Sequence, residues 1–323
     1  MEATSYRLQA PRVATFALAM LMLIGLAGCA NRPSTTVAGS DPPRTGPVRA
    51  YATGRPVIAL VLSGGSARGF AHIGVIRVLE QMGIEPDLIV GTSAGSIVGA
   101  GYAAGMNADR LEEAAKRFDK WLFVDFAFSD LGLPFTPGAL GLVKGEKLQS
   151  FVNDLVNQRS IEMLPRRFAV AATALHSGTT VLFTRGSTGL AVRASSSIPG
   201  VFSPPLIGGQ RYVDGRVSSP VPVMAARALG ADVVIAVDTT FPPDHAEFSS
   251  MMDVLFQSFM IAGQRIKERE LAAADVVIRP AIKTTGQLGF EDREWIINRG
   301  EMAARAMESD LRKALRPAIA VRE

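Results

Sequence analysis

Ser93 lies in Gly91-Thr-Ser-Ala-Gly95, directly after the apolar run Leu88-Ile-Val90 and directly before the small-residue stretch Ala94 to Ala104. A serine on a sharp strand-to-helix turn, packed between glycine-sized neighbours, has its hydroxyl exposed by backbone strain. The helix behind it offers N–H groups and a positive dipole end to developing negative charge. Nucleophilic attack on an acyl carbon is the chemistry such a serine performs. Gly-Ser-Gly clusters also make ordinary turns, but here the strand before and the helix after supply the context the reaction needs.

A second element lies about thirty residues upstream. Val57-Ile-Ala-Leu-Val-Leu62 reads as a continuously buried strand of a parallel sheet. It leads into Ser63-Gly-Gly-Ser-Ala-Arg-Gly69 and then into a helical segment, Phe70 to Met82, with Phe70, Ile73, Ile76 and Leu79 at helical spacing and Gly83 as a stop. A glycine-rich strand-to-helix loop is an anion cradle. The anion is a phosphate or the oxyanion of a tetrahedral acyl intermediate. Gly-Lys-Ser/Thr is missing from the loop's end, and the serine turn stands where a dinucleotide site wants its acidic residue, so the oxyanion is favoured.

The third element is Asp214, at the end of the short strand-like run Arg211-Tyr-Val-Asp and beside Gly215. Asp-Gly is a common turn dipeptide. Histidine is scarce, however: His72 falls within the first helix, His176 in a hairpin-like turn and His245 in a polar loop. None has a compelling setting for a general base, which makes direct activation of a serine by a carboxylate a serious option.

Taken in order, Ser63-Gly-Gly-Ser-Ala-Arg-Gly69, Gly91-Thr-Ser-Ala-Gly95, Ala194-Ser-Ser-Ser-Ile-Pro-Gly-Val-Phe202 and Asp214-Gly215 resemble the signature blocks of the patatin-like phospholipases. The resemblance spans about residues 56 to 280. It implies an α/β fold of three layers, with a mainly parallel central sheet flanked by helices. It also implies a Ser–Asp dyad, carried here by Ser93 and Asp214, and an oxyanion hole from the N–H groups around Gly64, Gly65 and Ser66, with Arg68 nearby. Asp214 would take the Ser93 proton as Oγ attacks an ester of a membrane phospholipid or lysophospholipid, and water would then hydrolyse the acyl-enzyme. No cofactor and no metal are expected. Two positions depart from the family pattern: Ser66 replaces the usual third glycine of the loop, and Arg216 follows Asp214-Gly215. If the third position needs a positive φ, Ser66 carries a strain of about 1 kcal/mol or more. Arg68 either helps fix the loop or attracts a phospholipid head group, or it simply pairs with a surface carboxylate; a local structural role is favoured, since the backbone already supplies the hole.

At the N-terminus, Arg7 and Arg12 precede the apolar run Val13 to Gly28, which closes on Leu26-Ala-Gly-Cys29. This is similar to a bacterial lipoprotein signal peptide over residues 1–28, which implies lipid modification of Cys29. The run is short for a membrane span, which needs about 20 residues. Ala30 in place of aspartate implies the outer membrane, facing the periplasm. Cys29 is the chain's single cysteine, so no disulfide or metal cluster competes for it. Residues 29–55 lack periodicity and read as a flexible tether, with an ordered arm as the alternative. Residues 56–323 are the expected catalytic domain, ending in a helical region. The net charge of +4 falls to +3 when Glu2, Arg7 and Arg12 leave, an excess too mild and scattered for a nucleic-acid partner.

The remaining elements continue an α/β alternation. Helices are expected from Asn107 to Phe118, Gly145 to Val156, Val221 to Leu229, about Ser250 onward, and Glu291 to Leu315. Strands are expected at Phe168 to Leu175, Thr179 to Thr184, Asp232 to Val237 and Asp275 to Arg279. Trp121 to Leu142, rich in Phe, Leu, Gly and Pro, is either a lid over the serine or a loop folded on the core, the latter being favoured. Besides the dyad, two readings stay open. One is an α/β-hydrolase triad of Ser93, His245 and either Asp214 or Asp238; the other is a non-catalytic envelope lipoprotein that binds lipid or a partner.

Overall fold

Ile58 to Leu62 forms β1, whose five consecutive apolar residues are buried on both faces. The computed structural model describes residues 41–48, 55–118, 140–240, 251–282 and 292–319. The leader-like segment 1–28 with Cys29, residues 121–139 of the aromatic stretch, and His245 lie outside the described residues. Around β1 stand β2 (Leu88–Thr92), β3 (Arg167–Ala174), β4 (Thr180–Phe183), β5 (Leu206–Ile207), β6 (Gln210–Asp214), β7 (Val233–Val237) and β8 (Val276–Ile278). They make one sheet in the order β5-β6-β3-β2-β1-β7-β8, with β4 paired to β3. Strands β3, β2, β1, β7 and β8 are parallel, while β4, β5 and β6 pair antiparallel.

Helices cover both faces: α1 (Ala71–Gln81), α2 (Ala94–Ala103), α3 (Ala108–Lys116), α4 (Glu146–Leu155), α5 (Thr188–Ser195), α6 (Val223–Ala228), α7 (Met251–Leu271), α8 (Arg293–Ala306) and α9 (Glu308–Ile319). Side chains alternate across a strand, and β1 shows the consequence. Ile58, Leu60 and Leu62 enter a large core with α1–α5, α8 and α9, whereas Ala59 and Val61 face a thinner one with α6 and Leu271 of α7. The expected three layers are therefore present. Chain order reverses across β1, with β2 on one side and β7 on the other. Open sheets take ligands at the carboxyl ends of strands at such a point, and the glycine-rich loop leaves β1 there.

Three local features differ from expectation. Part of the expected tether is ordered: Arg44 pairs with Arg185, Ser187 N–H donates to the Asp41 carbonyl at 2.7 Å, and Thr184 Oγ1 donates to Gly46 O at 2.8 Å. The C-terminal helix is two helices, because Met307 N–H bonds three residues back, to Ala304 O, and tightens the turn there. Helix α5 was not anticipated. Its first turn is capped by Ser187, whose side chain accepts from Leu190 N–H at 3.3 Å.

Candidate active site

Two strands that meet end to end create the site. Thr92, the last residue of β2, stands opposite Ala171 of β3, and Asp214, the last of β6, stands opposite Ala172. β4 occupies the other edge of β3 at Val170–Thr173. β2 and β6 must therefore share one edge, running toward each other, and the next residue after β2 is Ser93. There the chain turns with φ 50° and ψ −123° and enters α2, whose first bonds return to the Ser93 carbonyl from Ser96 N–H (2.8 Å) and Ser96 Oγ (2.6 Å). A non-glycine residue at positive φ stores about 1–3 kcal/mol and is tolerated where its surroundings enforce it. One enforcing contact is Gly95, where an added Cβ would stand 2.2 Å from the Leu62 carbonyl oxygen. Another is Ser195, whose hydroxyl accepts the Ser93 N–H at 2.8 Å and donates to Ala171 O at 2.6 Å.

Ser93 Oγ donates to Asp214 Oδ2 at 2.8 Å. The other carboxylate oxygen accepts Arg216 N–H at 2.8 Å; the Asp214 N–H donates to Ser197 O at 2.8 Å, and its carbonyl accepts from Thr173 Oγ1 at 3.0 Å. Asp214 is 1% exposed. Burial pushes its carboxyl up to about 6, against the pull of the Arg216 N–H, the Ser93 hydroxyl and the Arg216 charge. A carboxylate so raised is ionised at neutral pH yet basic enough to accept a proton. The arrangement can thus move a proton from Oγ to Oδ2 with no imidazole between them.

The glycine-rich loop lies against the serine: a Cβ built on Gly64 would stand 3.2 Å from Ser93 Cβ. The Gly64 N–H donates to Pro220 O at 3.1 Å and is committed to holding the loop. Gly65 and Ser66, at the start of a 3-10 turn through Phe70, have N–H groups that no protein atom accepts among the described residues. Ser66 has φ 49°, so this position does need a left-handed conformation. Arg68 is buried, and burial lowers its pKa against the opposing charge of Asp238. Arg216 is also buried and lowered to about 10 by that burial, with Asp214 and Asp238 opposing.

The other sequence candidates sit elsewhere. His72 is fully buried on α1, its Nε2 at 2.9 Å from Ser63 O, and burial lowers it to about 4, so it is neutral and braces the end of β1. His176 is exposed in the β3–β4 turn. Asp238 is engaged by Lys267 Nζ at 3.5 Å, Arg279 Nε at 3.6 Å and Thr240 N–H at 3.0 Å. Sequence reasoning missed Ser195, Ser197 and Thr92, whose Oγ1 donates to Ser219 O at 2.9 Å. The run Ser195-Ser-Ser197, at the end of α5, was the available signal for two of them.

A cavity of about 260 Å³ opens from Ser93 and Ser66. Its wall is nearly all apolar: Ile97 and Val98 of α2, Leu111, Ala114 and Ala115 of α3, Phe118, and Phe151 and Leu155 of α4. Phe118 packs edge-on against Phe70 and Phe151, with ring centroids 6.1 and 5.4 Å away. A slot with this lining can hold a hydrocarbon chain, with one end beside the serine hydroxyl.

Known proteins are similar to parts of this chain. An uncharacterized NTE family protein of Mycobacterium tuberculosis is 35% identical over 195 residues, which cover 60% of this chain and 52% of that protein. A lysophospholipase of Debaryomyces hansenii is 34% identical over 186 residues, covering 56% of this chain and 12% of that protein. The chain therefore spans about half of the first relative's length and far less of the second's. Among solved structures, VipD from Legionella pneumophila superposes with a TM-score of 0.43 at 14% identity, covering 88% of this chain and 72% of VipD. The patatin-like phospholipase profile matches residues 60–227, more than half of the chain and inclusive of the glycine-rich loop, the Ser93 turn and Asp214, and the chain belongs to that family.

Proposed function

We propose that this protein is a serine lipid acyl hydrolase, a phospholipase A or lysophospholipase-type carboxylic ester hydrolase. Ser93 attacks the ester carbonyl while Asp214 takes its proton. The Gly65 and Ser66 amides receive the oxyanion, and the apolar cavity holds the acyl chain. The alcohol leaves with the proton returned from Asp214, and water activated by the same carboxylate frees the fatty acid. The observation that carries this reading is the direct 2.8 Å bond from Ser93 Oγ to Asp214 Oδ2. A triad would interpose an imidazole between those atoms. Similarity to a protein named a lysophospholipase supports the lipid substrate class.

The test is hydrolysis of phospholipid, lysophospholipid and short acyl esters, alongside labelling by a fluorophosphonate. Wild type should label and turn over, and Ser93→Ala should do neither; an active Ser93→Ala removes the reading. We also propose a lipid anchor at Cys29 that tethers the domain to the bacterial cell envelope, at the outer membrane facing the periplasm. Cys29→Ser should abolish lipidation and processing after residue 28, and a processed, membrane-bound variant argues against the anchor.

A further inference from the structure

A buried carboxylate outside the dyad connects to both halves of the site. Glu270, in the last turn of α7, is 5% exposed. One of its oxygens accepts the Ser219 hydroxyl and the other accepts Val221 N–H at 2.9 Å. Pro220 and Pro222 have no N–H, so the Val221 amide is the one backbone donor of residues 220–222, and Glu270 takes it. The turn gripped in this way presents two consecutive carbonyls. Ser219 O accepts Thr92 Oγ1 at 2.9 Å, at the residue before the nucleophile. Pro220 O accepts Gly64 N–H at 3.1 Å, at the residue before the first free amide of the loop.

We propose that Glu270 is a positioning residue: by gripping the Ser219–Val221 turn it sets the spacing between Ser93 and the donor amides of Gly65 and Ser66. The inference rests on the hydrolase reading above. An oxyanion hole works only if its donors stand within about 2.7–3.1 Å of where the charge develops. Each side has anchors of its own, Ser195 on the Ser93 N–H and Val237 O on the Ser63 N–H, and the Ser219–Val221 turn bonds to both sides at once. Burial pushes Glu270 up to about 7, against the pull of its two donors. In either protonation state both oxygens stay in place as hydrogen-bonding atoms, so the grip depends on their positions rather than on a permanent charge. An amide can supply the same geometry: Gln Oε1 accepts Val221 N–H, while the Ser219 hydroxyl reverses and accepts from the Gln NH2.

The experiment compares the full chain with Glu270→Leu, Glu270→Gln and Ser219→Ala. Active sites are titrated to completion with a fluorophosphonate, and kcat per labelled site and KM are measured on a p-nitrophenyl acyl ester. Glu270→Leu should lose about 10- to 100-fold in kcat per site, the range for a small misplacement of reacting groups, with KM little changed. Glu270→Gln should restore most of that loss. A purely structural role would instead lower the number of labelled sites, each keeping the wild-type kcat. That result overturns the proposal, as does a Glu270→Gln variant as slow as Glu270→Leu. If Glu270→Leu does not fold, Ser219→Ala, which removes one of the two grips, decides: a fall in kcat per site supports the proposal and an unchanged value overturns it. A wild-type chain that neither labels nor turns over defeats the hydrolase reading itself.

Discussion

Ser93 and Asp214 follow from strands that converge along one edge of β3, ending opposite the adjacent residues Ala171 and Ala172. Their 2.8 Å bond is thus set by backbone register, with Ser195, Ser197 and Thr173 fixing the two main chains. A side chain changed at either end should leave the frame standing. Asp214→Asn keeps size and can still meet Arg216 N–H through its carbonyl oxygen, but it accepts no proton. Turnover should fall by about 100- to 10,000-fold, the usual worth of a general base, while circular dichroism stays native. Wild-type turnover in the folded variant removes Asp214 from the base role.

The acidic limb of the rate profile should report the same residue. Catalysis needs ionised Asp214, whose carboxyl burial has raised to about 6, so kcat/KM should climb as pH rises through about 6. An imidazole base would titrate nearby, near 6.5, so the position of the limb alone does not separate the two. Replacement does: His72→Gln, His176→Gln and His245→Gln should each keep the limb where it is in any variant that folds. Loss of the limb together with kcat in His245→Gln would transfer the role to histidine.

Linkage makes a second pH prediction with a definite sign. A carboxyl whose folded pKa lies above its unfolded value, here about 6 against 3.8, contributes stability that is complete below pH 3.8. That contribution is lost as pH rises through 6. The full shift amounts to about 3 kcal/mol. Asp214→Asn removes this dependence, so its melting temperature relative to wild type should rise between pH 4.5 and pH 7.5. A difference that stays flat across that window contradicts the raised carboxyl.

Much of this was legible in the chain. β1 and β7 are unbroken apolar runs because strands buried on both faces admit little else, and the Ser93 turn announces itself because few residues besides glycine fit where Gly95 meets the Leu62 carbonyl. What escaped depends on tertiary placement. The Arg44–Arg185 pairing is made by main chain and leaves no side-chain pattern. Helix α5 is short and rich in small residues, with only its Ser187 cap as a mark. Ser195, Ser219 and Glu270 act through hydrogen bonds to partners at least 24 residues distant, and sequence spacing does not encode such bonds.

The oxyanion loop predicts opposite outcomes at neighbouring positions. A Cβ on Gly65 would stand 2.4 Å from Thr239 Oγ1 and 2.7 Å from Thr239 O, so Gly65→Ala must move the loop. Displacing one donor should cost about 100- to 1,000-fold in kcat. Ser66, by contrast, sits at φ 49°, where glycine is unstrained. Ser66→Gly relieves about 1–2 kcal/mol of strain and gives back about 0.5–1 kcal/mol of chain entropy, leaving stability equal or slightly higher with turnover retained. A marked loss of melting temperature in Ser66→Gly would show that the hydroxyl itself holds the loop.

The cavity wall offers the last test, on substrate choice. Ala114 and Ala115 of α3 line the slot, whose wall also carries the bulkier Ile97, Leu111 and Phe151. Ala114→Leu adds three carbons to a cavity of about 260 Å³ and should shorten the chain it accepts without touching Ser93, Asp214 or the loop. One methylene in an apolar pocket is worth about 1–3 kcal/mol in discrimination. The ratio of kcat/KM for a palmitoyl ester over a butyryl ester should therefore fall by about 10-fold or more, through the palmitoyl term, while butyryl turnover persists. Equal losses on both esters would mean that the substitution disturbed the dyad. An unchanged ratio in a folded variant would mean that the acyl chain lies elsewhere.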